Sequence, residues 1–169
     1  PFSMNTPHTG GMRYEEGVRK IPHAAITVED AAMIARMVNR GQSVKIKLYM
    51  EGKFEPDALS RNVMGEITGS EFPNEVIVLG GHIDSWDVGQ GAMDDGGGCV
   101  AAWQAVKLMK DLGLRPKRTI RVVMWTNEEN GLRGGNAYRD AHIDELDDHI
   151  LAMESDAGVF KPSGFGFTG

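Results

Sequence analysis

Val76-Ile77-Val78-Leu79-Gly80-Gly81-His82-Ile83-Asp84 is the stretch whose reading decides the fold. Its first four residues are apolar with no polar alternation, the pattern of a strand buried on both faces, and it breaks into glycines and then polar residues. Ile120 to Trp125 and Ile150 to Met153 repeat the pattern. Between the first two runs, Cys99 to Leu112 has helical period, with Val100, Trp103, Val106 and Leu108 near one another and Gly113 placed to close it. A second helix is expected from Leu132 to Ala141. Strand, helix, strand, helix, strand implies right-handed crossovers, and so an α/β fold: a mostly parallel (mixed) sheet with helices on both faces.

Upstream the texture differs. Thr27-Val28-Glu29-Asp30 offers a hydroxyl cap with a carboxylate three residues on, and Val28, Ala31, Ala32, Ala35 and Val38 then share one helical face up to Gly41. Val44, Ile46, Leu48 and Met50 alternate with Lys45, Lys47 and Tyr49, which predicts a half-exposed strand. Asn62 to Thr68 reads as a second strand, antiparallel to the first at a sheet edge, with a turn over Gly69 to Asn74. Residues 1–26, rich in Pro and Gly, read as loop or the edge of a preceding module.

The chain has 169 residues and a formal net charge of −6. That length suits a domain with a real core, and the acidity argues against nucleic acid, since Arg115 to Arg121 is too short and interrupted to form a basic face. The lone Cys99 cannot form an intrachain disulfide and reads as a small buried apolar residue. No run approaches the roughly 18 apolar residues that cross a bilayer, so no membrane partner is expected. The first residues lack a secretory pattern, and a start at Pro1 points to processing or to a piece of something longer.

In such a sheet, ligands collect at the carboxyl ends of the strands. The three runs end in Gly80-Gly81-His82-Ile83-Asp84, Thr126-Asn127-Glu128-Glu129 and Glu154-Ser155-Asp156, while Asp94-Asp95 lies in the glycine-rich loop before the first crossover helix. None of these clusters contains a cation, so carboxylates gathered there would resist ionisation unless a divalent metal, or a pair, joined them. Singly, each has a plainer reading: His82 as a hydrogen-bonded structural histidine, Asp94-Asp95 as a turn, Glu128-Glu129 as a solvated helix start, Asp156 as a loop residue. Their joint placement favours the metal. Asp84 can point to the same side as His82 and orient the imidazole. Trp103 and Trp125 read as core, and Trp86 as lining the site. Gly89-Gln90-Gly91 fails as a dinucleotide fingerprint because Asp94 takes the third glycine's place, and no phosphate-binding Gly-Lys-Ser/Thr is present.

Gly80 to Gly98, together with Leu112 to Thr119, Trp125 to Glu129 and Met153 to Gly158, resembles, in order, the co-catalytic zinc aminopeptidases and carboxypeptidases. The likeness runs from about Ile21 to the end. It implies that His82 binds one zinc with Asp84 holding its ring, that Asp94 bridges two zincs across a cis peptide to Asp95, and that Asp156 completes the first site. Glu129 would hold the other zinc and Glu128 would act as general base in hydrolysis of dipeptides or short peptides. Residues 1–26 would be the end of a protease-associated domain or a linker, and 27–169 the N-terminal part of the catalytic domain. The family's fifth ligand, a histidine well beyond Asp156, has no counterpart, since His8, His23, His142 and His149 all precede Asp156. The expectation is a chain truncated at its carboxyl end, binding at most one metal well, weakly active and with exposed apolar surface. The resemblance also implies an extracellular or vesicular/lysosomal parent and leaves a homodimer open. The rival readings are a non-catalytic receptor or binding module of the same fold, and a metal-dependent acyl-transfer enzyme such as a glutaminyl cyclase.

Overall fold

The computed structural model describes residues 14–53, 55–87 and 89–168. They belong to two compact units that meet at Asp57/Ala58.

Among the described residues the first unit holds one helix, α1 (Val28–Asn39). Thr27 is its N-cap, Oγ1 accepting the Asp30 N–H at 3.0 Å, and Gly41 leaves the helix with φ +75°. None of its described residues is buried. The strand expected at Val44–Met50 does not form: these residues join no sheet, and Ile46, Leu48, Tyr49 and Met50 are exposed. Alternation alone cannot make a strand without a neighbour to satisfy its backbone.

The second unit is a four-stranded sheet in the order β1-β3-β2-β4, built from β1 (Val63–Ile67), β2 (Phe72–His82), β3 (Arg118–Trp125) and β4 (His149–Glu154). β2 runs parallel to both β3 and β4, and β1 is antiparallel to β3. The expected antiparallel partner of β1 is therefore replaced by β3. β2 begins earlier than its apolar run, at Phe72, and absorbs the expected turn residues Pro73 and Asn74 through a register shift between Phe72 and Val76. The short basic stretch is spent on ion pairs within this unit: Lys117 with Glu71, Arg118 with Glu75 and Arg121 with Glu66.

From β2 the chain crosses through α2 (Gly96–Asp111) to β3, then returns through α3 (Arg133–Ala141) and a 3₁₀ helix (Ile143–Asp148) to β4 on the other side of β2. Right-handed crossovers in opposite directions place α2 and α3 on opposite faces. On the α3 face, Val76, Val78 and Val123 pack with Tyr138, and Trp125 lies against them. Trp125 is thus core-associated as expected. Trp103 is not: it is 50% exposed, and Val100 and Leu108 are also exposed. The buried stripe of α2 is Gly98, Cys99 and Ala102 instead. Small residues win that face because the helix approaches very closely. A Cβ on Gly81 would lie 2.5 Å from the Cys99 nitrogen, and one on Gly98 would lie 1.8 Å from the Ser155 carbonyl oxygen. β4 departs from expectation too: it forms where anticipated, but at the sheet edge, pairing with β2, and its residues are largely exposed.

Candidate metal centre

Every functional candidate sits at or just beyond the carboxyl end of a strand or in the loop entering α2. The β2–α2–β3 crossover leaves β2 on one side and β4 lies on the other, so β2 is the switch point at which an open α/β sheet forms its crevice. His82 is the last residue of β2, in register with Trp125 at the end of β3, while Glu154 at the end of β4 pairs with Gly80.

His82 is buried, only 1% exposed. Its Nδ1–H donates to the Asp84 carbonyl oxygen at 2.9 Å, with the Asp84 carboxylate farther off at 3.6 Å. That bond leaves Nε2 facing three carboxylates: Asp94 Oδ1 at 3.0 Å, Asp156 Oδ1 at 3.3 Å and Glu128 Oε2 at 3.9 Å. A ring nitrogen among anions is stable only with a positive charge between them. The protonation balance reflects this. Burial works against the imidazolium, yet the Asp84 carbonyl and the charges of Asp156, Asp84 and Asp95 outweigh it and hold the His82 pKa above its ordinary value. Glu128 is raised by burial and by Asp156, Asp84 and Asp94, against the pull of His82. Glu129 is raised by burial and then by Asp94.

One ligand atom each from His82, Asp94 and Asp156 lie within 4.8 Å of one another, and these three can hold a metal ion. An imidazole with two carboxylates is a donor set suited to zinc. Glu129 is outside that trio. Its Oε1 is nonetheless buried and accepts no hydrogen bond among the described residues, as expected of a carboxylate oxygen shaped for an ion.

Asp84 occupies a position the sequence did not disclose. Its carboxylate accepts the backbone N–H of Glu128 at 2.9 Å and that of Glu129 at 3.2 Å, joining the loop after β2 to the loop after β3. Asp95, which reads in sequence only as half of an acidic pair, has a structural place of its own. It is fully buried, caps α2 by accepting the Gly98 N–H at 3.0 Å, and accepts the His82 N–H at 2.9 Å. Burial raises its pKa even against those two bonds. A cap residue ahead of Gly96-Gly97-Gly98 was the available signal. The Asp94–Asp95 peptide is cis. Trp86 is half-buried in the loop after Asp84, its carbonyl accepting the Gly89 N–H at 2.8 Å.

A sheet of this topology, with an imidazole and carboxylates converging at the strand ends, defines an α/β protein built to bind metal. Residues 62–168 match the peptidase family M28 model, and the chain belongs to that family. Its members are metal-dependent peptidases, typically with zinc. The chain is 55% identical over 168 residues to carboxypeptidase Q of Bos taurus, covering 99% of this chain and 36% of that protein. It is 34% identical over 122 residues to the probable leucine aminopeptidase 2 of Aspergillus oryzae, covering 70% of this chain and 24% of that one. Among solved structures, a peptidase M28 precursor from Shewanella amazonensis SB2B superposes with a TM-score of 0.85 at 46% identity, over 91% of this chain and 35% of the other. The chain therefore spans about a third of the length of carboxypeptidase Q of Bos taurus.

Proposed function

We propose that this chain supplies the metal-holding and proton-transferring side chains of a zinc-dependent exopeptidase acting on dipeptides or short peptides. The observation that carries the reading is the meeting of His82 Nε2 with the carboxylates of Asp94, Asp156 and Glu128, all within 3.9 Å. His82, Asp94 and Asp156 would hold one zinc, and Asp94 with Glu129 a second. When bound, zinc polarises the scissile carbonyl and acidifies a water. Glu128 Oε2 accepts that water's proton and returns it to the leaving amine, a role suited to a carboxylate whose pKa burial holds above the ordinary carboxylate value. Asp84 holds Glu128 by its backbone N–H while its own carbonyl fixes the His82 tautomer. The relatives' names divide between carboxypeptidase and aminopeptidase; the higher identity to carboxypeptidase Q favours cleavage at the carboxyl end or of free dipeptides.

Glu128→Gln tests the reading. The expected result is a fall in dipeptide turnover of about 10²- to 10⁴-fold, with bound zinc unchanged by elemental analysis. Turnover retained by the variant would remove Glu128 from the role.

A further inference from the structure

Glu128 and Glu129 are adjacent in sequence, yet one is read as the base and the other as a metal ligand. Successive residues of an extended strand face opposite ways, so two such roles at one site require the chain to leave β3 through an unusual turn. Asn127 makes that turn: its φ is +54°, in the left-handed region where Asn and Gly are tolerated and β-branched residues are strained. The residues around it are pinned. The Thr126 N–H donates to Asn62 Oδ1 at 3.0 Å, the Thr126 carbonyl accepts Gly134 N–H at 2.8 Å, and the Asn127 carbonyl accepts Arg133 N–H at 3.1 Å. Directly after the left-handed residue, two consecutive N–H groups converge on the two oxygens of Asp84. The Asn127 side-chain oxygen takes no part in this, since Oδ1 is buried and accepts no hydrogen bond among the described residues.

We infer that Asn127 is a positioning residue, whose left-handed backbone turns the Glu128 and Glu129 N–H groups onto the Asp84 carboxylate and so sets where both acidic side chains stand. The roles of those two side chains rest on the function proposed above; the turn itself does not. Its essential property is backbone conformation, so glycine can replace Asn127 and valine cannot.

The test is amide hydrogen exchange by NMR on the full metal-free chain, comparing wild type with Asn127→Gly, Asn127→Ala and Asn127→Val. In wild type and the Gly variant the Glu128 and Glu129 amides should be equally protected, within about twofold. In the Ala and Val variants their protection should fall by about tenfold or more, Val beyond Ala, while β2 and β3 amides stay protected. The Ala variant keeps the test decisive where the Val variant fails to fold. Unchanged protection in the Ala variant, or loss in the Gly variant as large as in Ala, overturns the inference. Titration of the same wild-type sample with cobalt, followed by visible absorption, addresses the functional reading separately. Protected amides with no cobalt spectrum would sink the metal site and leave the turn standing.

Discussion

Asp95 carries a carboxylate with no exposed surface, and its two oxygens tie the first turn of α2 to the last residue of β2. Removing them strips a helix cap and leaves the His82 N–H buried without its acceptor. Asp95→Ala should therefore cost about 2–4 kcal/mol, measured by urea unfolding; a loss below about 0.5 kcal/mol, the range of surface substitutions, would show that the bonds are idle. Cys99 lies beside it, its Sγ donating to the His82 carbonyl at 3.1 Å, and burial pushes the thiol up to about 11. Iodoacetamide at pH 8 should leave the native thiol unmodified and alkylate it in urea, as read by mass spectrometry. Rapid native labelling would contradict the packing of α2 on β2. At this scale the gathering of His82, Asp94, Glu128 and Asp156 was legible, because each follows an apolar run or stands in the glycine-rich loop entering α2. What stayed hidden was how backbone groups are satisfied: the Asp84 carboxylate serves two N–H groups 44 and 45 positions away, a pairing that only the folded chain creates.

The elements were readable where periodicity and burial agree. β3 and both crossover helices appear close to their expected bounds and β2 extends past its apolar run at both ends, whereas 44–50 alternates as well as any strand and forms none. Apolar size points to Val100, Trp103, Val106 and Leu108 as the buried face of α2, whereas close approach selects glycine, cysteine and alanine there. Glycine substitutions separate the two effects. Gly98→Ala and Gly134→Ala force a Cβ onto backbone oxygens, 1.8 Å from Ser155 O and 2.4 Å from Thr126 O, and should each destabilise by about 3 kcal/mol or more. Gly135→Ala, one residue along in α3 with nothing within 4 Å of the added methyl, should stabilise by about 0.5–1 kcal/mol. Equal effects at positions 134 and 135, measured by urea unfolding, would contradict the placement of α3 against the end of β3. α3 is anchored a second time by Tyr138, whose hydroxyl donates to His149 Nε2 at 2.8 Å and accepts from Arg121 at 2.7 Å.

For the whole molecule, the reversal of crossover direction at β2 brings three loops to one rim, and it is this topology that gathers charges of one sign into a small volume. Folding must work against their repulsion, and a cation bound only by the folded chain offsets it. Zinc at about 100 times its dissociation constant should stabilise the native state by about 2.7 kcal/mol, raising the melting temperature by roughly 5–10 °C in calorimetry. Chelation should reverse the shift, and a melting temperature indifferent to zinc would contradict the coupling. The trio of His82, Asp94 and Asp156 is the candidate metal group among the described residues, and the Asp94–Glu129 pair brings no imidazole of its own. On the function proposed, one tight zinc per chain, rather than two, is the expected stoichiometry. Calorimetric titration of zinc into the metal-free chain and its His82→Ala variant tests the shared-ion site most directly. The expected result is one tight ion per wild-type chain and at least a 100-fold weaker binding (about what loss of even an outer partner can cost) in the variant; no tight zinc in the wild type, or equal affinity in both, would contradict it.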